Sequence, residues 1–290
     1  MEEALRVSSS YITSPVPIFY HSSPSDHPAP CTPPHQYSVM SGVKEAPAPW
    51  KLKGTSWIFV LPGLSKDASF PAGFAAPHEA EALAEGGEFV GGFGSVQLVS
   101  YTESPVGPYD ELVYTPGRWK YMNNDPALRV TRIYVSVKES TENGRRNWSL
   151  PKQVANFSYR PGPYDTTLFS VSLPSSPDKP FFSASIKPIP LLSSVSILIS
   201  TTILGKWFSF MQPPLPQGSP ENPEEVGTER WAAFTPTMRG KNRLVGVVPG
   251  FEDGTIGDGI SFPKVKPRSV GAVAADLDID VGVPVLFDNV

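Results

Sequence analysis

Arg129-Val130-Thr131-Arg132-Ile133-Tyr134-Val135-Ser136-Val137 decides the fold class. Ile133, Val135 and Val137 recur at every second position with Arg132, Tyr134 and Ser136 between them, and a period of two is that of a β-strand. One face is expected to be buried and the other wetter, as in an antiparallel sheet. Working outward, similar short runs rich in β-branched and aromatic residues predict strands at 56–61, 95–101, 167–173, 181–186, 195–201, 244–248 and 270–281. Proline and glycine divide them; with 34 prolines in 290 residues, long helices have little room. Helix signals are confined to 77–85, where Pro77 suits a first turn and Gly86 a stop, and to a short segment after Ser140.

Residues 1–49 differ from the rest. Stretches such as Ser22-Ser23-Pro24-Ser25-Asp26-His27-Pro28 cannot bury enough apolar surface to offset their ordering entropy. They read as a Pro/Ser-rich tail, suited to lie across a second copy in a homo-oligomer, and residues 50–290 read as one β domain. The net charge of −4 and the lack of a long basic run exclude nucleic acid as a partner. Met1-Glu2-Glu3 does not open a secretory signal, Cys31 has no second cysteine to bridge, and the apolar run 189–204 is broken by Pro190 and hydroxyl residues. These features predict a cytoplasmic protein with no membrane span.

Most chemical motifs fail. His21, His27 and His35 lie in the tail, and His78 alone makes neither a zinc site nor a Ser/His/Asp triad. Asp276-Leu277-Asp278-Ile279-Asp280 lacks the glycine and glutamate of a calcium loop and reads as a strand with an acidic face. The glycine clusters at 91–94 and 254–259 do not form a dinucleotide fingerprint.

Two stretches do carry a signal: Tyr101-Thr102-Glu103-Ser104-Pro105-Val106-Gly107-Pro108-Tyr109-Asp110-Glu111-Leu112, and Glu142-Asn143-Gly144-Arg145-Arg146-Asn147-Trp148-Ser149-Leu150-Pro151-Lys152-Gln153. Together they resemble the acetoacetate decarboxylase superfamily, in the variant of its microbial, often fungal-type branch. The resemblance runs from Trp50 to about Arg243. It implies a mostly β fold, an antiparallel closed or nearly closed β barrel with few short helices. It implies that Lys152 is the Schiff-base lysine and Glu103 the active-site glutamate, with Glu111 as a second candidate. Tyr101, Tyr109, Arg145, Trp148 and Gln153 then fall to substrate binding. Three positions depart from the family pattern: Gln153 replaces a second lysine, Arg146 a glutamate, and Thr55 falls near an early arginine.

The implied chemistry needs no metal or organic cofactor. Imine formation requires a neutral amine, and an exposed lysine of pKa about 10.4 is neutral to only about 1 part in 2,500 at pH 7. Apolar burial raises that fraction by penalising the ammonium. The lysine then condenses with a ketone or β-keto acid, and decarboxylation, aldol or dehydration chemistry follows from one enamine. A polyketide-like or other secondary metabolite is the implied substrate class. The rival reading is a barrel that binds an apolar small molecule, or shapes its cyclisation, without covalent chemistry.

Overall fold

The computed structural model describes residues 42–121, 124–203 and 205–289. Most of the tail assigned to 1–49 therefore lies outside the described residues. The described elements are strands β1 (Trp50–Val60), β2 (Glu88–Gly91), β3 (Ser95–Glu103), β4 (Tyr109–Thr115), β5 (Arg118–Tyr121), β6 (Asn124–Leu128), β7 (Arg132–Val135), β8 (Lys152–Val154), β9 (Asn156–Pro161), β10 (Thr167–Ser172), β11 (Pro180–Pro188), β12 (Ile197–Ser200), β13 (Phe210–Gln212), β14 (Trp231–Phe234), β15 (Thr237–Pro249), β16 (Val270–Val281) and β17 (Val285–Phe287), with helices α1 (Ala80–Ala84) and α2 (Lys138–Trp148) and three single 3₁₀ turns. None of the helices is long and apolar enough to cross a membrane.

Eleven strands form one sheet in the order β8-β7-β4-β3-β1-β16-β15-β11-β10-β9, with β12 added on β15; six form a second, β17-β14-β13-β6-β5-β2. Of the expected closed or nearly closed barrel, the strand pairing does not give closure: neither sheet closes on itself. The physical reason lies at the two ends of the large sheet. Its edge strands β8 and β9 are consecutive in the chain with Ala155 alone between them, and a strand cannot form a ladder with its own continuation. The Ala155 N–H instead bonds to the Val135 carbonyl at 2.9 Å.

The expectation of one wet face also fails. All four residues of β7 are buried, because the sheet has a core on each side. Leu98, Leu112 and Tyr134 point into a core with Phe59, Phe169 and Phe182. The alternate residues, Val99, Tyr109 and Val135, point the other way, toward Trp50, Trp148 and Phe234. Glycine permits the close crossing of β1 and β3, since a Cβ on Gly54 would stand 2.1 Å from the Ser100 carbonyl oxygen. The smaller sheet buries Trp119 and Tyr121, with the Arg129 guanidinium 4.5 Å from the centroid of the Trp119 ring. Along β16, Leu277 and Ile279 are buried while Asp278 and Asp280 are exposed, the alternation read from the sequence.

The segment just before β1 is bound to α2. Asn143 accepts from the Ala46 N–H at 2.7 Å and donates to the Lys44 and Glu139 carbonyls, each at 3.0 Å. Asn143→Ala leaves these groups without partners and is expected to cost about 2 kcal/mol, read as a fall of several degrees in Tm; an unchanged Tm would show that the clamp carries no stability.

Candidate active site

Strands β7 and β8 are parallel, which a short hairpin cannot achieve, so a crossover must join them. Helix α2 is that crossover. It ends at Ser149, which adopts the left-handed conformation (φ 51°) and donates its N–H to the Arg145 carbonyl at 2.8 Å. Three residues later the chain enters β8, opposite Ile133. Alternation along β8 then turns Lys152 inward and Gln153 outward.

Lys152 is 3% exposed. Its Nζ donates to Glu111 Oε2 at 2.7 Å and to Ser140 Oγ, on α2, at 2.9 Å. Glu111 is 7% exposed and comes from β4, two strands away on the same face; its Oε1 accepts from the Tyr101 hydroxyl at 3.1 Å. Tyr101 and Tyr109 face each other across the β3–β4 ladder with ring centroids 4.6 Å apart. The amine lies 5.3 Å from the Tyr109 ring centroid and 6.0 Å from that of Trp50. Beside it is a cavity of about 120 Å³ walled largely by Trp50, Ile133, Trp148, Phe210 and Phe234. Burial lifts both phenols well above their ordinary value, and the Glu111 carboxylate adds to the effect, so both remain protonated donors.

Of the residues singled out from the sequence, the structure brings Lys152, Glu111, Tyr101, Tyr109 and Trp148 together around this cavity. It removes three others. Glu103 lies beyond the Tyr101–Tyr109 pair that ends the β3–β4 ladder, where β3 is bulged against β1; its side chain is 65% exposed and pairs with Lys53 at 3.1 Å. Arg145 is wholly buried but bound elsewhere, to Glu79 at 2.5 Å and to the Val226 and Pro216 carbonyls. Gln153 faces the outer side of β8 and contacts the Glu225 carboxylate at 3.2 Å. Arg146 binds Glu142 and Glu45 on the outside of α2. His78 stands 3.6 Å from Glu225 in an outer groove. Among the described residues no cluster of His, Cys, Asp or Glu is placed to hold a metal ion.

No family model matches the sequence. Protein NEOXANTHIN-DEFICIENT 1 of Arabidopsis thaliana is 35% identical over 115 residues; the match covers 39% of this chain and only 37% of that protein's length. Among solved structures, the acetoacetate decarboxylase of Legionella pneumophila superposes with a TM-score of 0.53 at 11% identity, over 84% of this chain and 88% of that one. The fold is that of acetoacetate decarboxylase. An acetoacetate decarboxylase-like enzyme from Sphingomonas wittichii RW1 has a TM-score of 0.49 at 11% identity, over 84% of this chain and 95% of the other.

Three contacts of Lys152 in this acetoacetate decarboxylase fold escaped the sequence reading: Trp50, Ser140 and Gly144. Ser140 and Gly144 are one helical turn apart on α2, a spacing that puts both on one face. That face meets the lysine side chain. A Cβ on Gly144 would come within 2.6 Å of Lys152 Cδ and 2.7 Å of Cε. Gly144→Ala gains helix propensity yet must push the lysine off Glu111. The expected outcome is a Tm near that of the parent with lysine-dependent activity lowered roughly 10- to 100-fold. Full activity in this variant would mean that the amine need not sit where it does.

The buried phenols make the fold sensitive to alkali. Burial also raises Tyr114, and Tyr134 is pushed up to about 12. A phenol with a higher pKa in the fold than in the open chain adds stability below the open-chain value, about 10, and that contribution is lost as pH rises through the folded values. Stability should therefore hold to about pH 9 and decline from about pH 10, with tyrosinate absorbance appearing as near-UV circular dichroism is lost. Early tyrosinate in a still folded chain would contradict the burial of these rings.

Proposed function

We propose that the chain is a cofactor-independent Schiff-base enzyme in which Lys152 condenses with a ketone or β-keto acid and Glu111 moves the protons. The observation that carries this reading is an amine 3% exposed, hydrogen-bonded at 2.7 Å to a carboxylate beside an apolar cavity. The hydrogen bond gives the proton a direct path between the two groups. Passing one proton from Nζ to Glu111 leaves an amine and a carboxylic acid, both neutral, in the positions that imine formation requires. The Nζ lone pair forms the C–N bond, the acid returns its proton to the carbinolamine oxygen, and water leaves an iminium ion. From a β-keto acid the bond to the carboxylate breaks, carbon dioxide departs and the electron pair forms the enamine. From a ketone, Glu111 removes an α-proton to reach the same enamine. Tyr101 holds Glu111 from its other oxygen. The aromatic walls suit a carbonyl compound carrying hydrocarbon, as in a polyketide-like metabolite, and the fold relation to acetoacetate decarboxylase supports lyase chemistry of this general kind.

Borohydride reduction in the presence of a small ketone tests the reading, with the added mass mapped by peptide. The adduct is expected on Lys152 and absent in Lys152→Met. Glu111→Gln should slow its formation by roughly 100-fold, whereas Glu103→Gln, which touches only an exposed pair, should change it by less than about twofold. Binding and full turnover by Lys152→Met would instead support a cavity that holds its ligand without a covalent step.

A further inference from the structure

The polar groups on the cavity wall are few: Gln97, Tyr101, Tyr109, Glu111 and Lys152. Among the described residues Lys152 is the only cationic side chain there. Arg145 is held on Glu79 and backbone carbonyls outside the cavity, and Lys53 is exposed and paired with Glu103. The Gln97 amide donates to Ser56 Oγ at 2.8 Å, and the Tyr101 hydroxyl is taken by Glu111.

The charge count before and after condensation follows from this. One cation and one anion face each other before reaction, and one iminium and one carboxylate after it. Buried charges persist when paired and are costly when not. A carboxylate β to the reacting carbonyl would add a second anion, and among the described residues of the wall there is no second cation to meet it. Two covalent bonds tie it to the carbon that Lys152 attacks. Such a group is drawn toward an amine that is 3% exposed and flanked by aromatic walls.

From the single positive charge on this wall we infer that the Lys152 cavity takes an uncharged ketone or aldehyde, and that its enamine arises by transfer of an α-proton to Glu111 rather than by loss of carbon dioxide. This rests on the Schiff-base reading of Lys152. The step balances without any added reactant. The Nζ–C bond forms and the carbonyl oxygen leaves as water; the α C–H bond then breaks, its proton goes to Glu111 and its electron pair to the new C=C bond. Reversal with a solvent-derived proton exchanges the α-hydrogen, and attack of the enamine on a second carbonyl carbon makes a C–C bond.

Methyl acetoacetate and acetoacetate share a skeleton and differ in charge, so they separate the possibilities. With the full chain and borohydride, the ester is expected to label Lys152 roughly tenfold or more faster than the acid. In D2O, 2-butanone should exchange its α-protons with the parent protein and not with Lys152→Met. Labelling by the acid as fast as by the ester, with release of carbon dioxide, would overturn the uncharged substrate while leaving the Schiff-base lysine standing. Failure of both compounds to label Lys152 would overturn that lysine assignment and this inference with it.

Discussion

An ammonium and a carboxylate 2.7 Å apart, both closed off from water, form the interaction on which the rest of the site depends. Such a pair is a poor device for stability. The desolvation of two ions offsets most of their attraction, while removing one partner strands the other, at a cost of about 3–5 kcal/mol. Its place at the meeting of β4, α2 and β8 ties three elements to one point beside an apolar cavity. The surroundings conform to it: Ser140 supplies a second acceptor, the tyrosines stay protonated, and glycine at 144 makes room for the lysine stem.

The strands were legible wherever apolar residues alternate over several positions. The reading of 270–281 coincides with β16, and 167–173, 181–186 and 195–201 fall on β10, β11 and β12 within a few residues. Short strands such as β5, β13 and β17 escaped because three or four residues cannot establish a period. Both faces of β7 are buried because a sheet with a core on each side gives polar residues such as Arg132 a buried place: its guanidinium bonds to the Ser261 carbonyl and lies 5.0 Å from the Tyr134 ring centroid. Closure of the sheet depends on which strands pair across long sequence separations, and no local pattern records that.

The site was legible in part for the same reason. Lys152 stood out through its sequence context, but the choice between Glu103 and Glu111 turned on where the β3–β4 ladder ends. Glu111 shares the parity of Tyr109 on one strand, and Tyr109 lies opposite Tyr101. Glu103 shares the parity of Tyr101 in the same way, so alternation alone does not choose between them; Glu111 lies within the ladder and Glu103 lies past its last pair. Alternation does separate Lys152 from Gln153, neighbours in sequence that point to opposite sides of β8. Arg145 could not be resolved this way, since its partners Glu79, Pro216 and Val226 are remote in the chain.

The junction between β8 and β9 has a mechanical meaning. One residue, Ala155, carries the backbone from a ladder with β7 to a ladder with β10. Any insertion of odd length there would break the phase between the two ladders: either β9 would present its other face, or β8 would roll over and swap the amine for the amide of Gln153. The sheet thus keeps the Lys152 side chain in phase much as a vernier keeps two scales aligned, and the seam tolerates length changes only in steps of two.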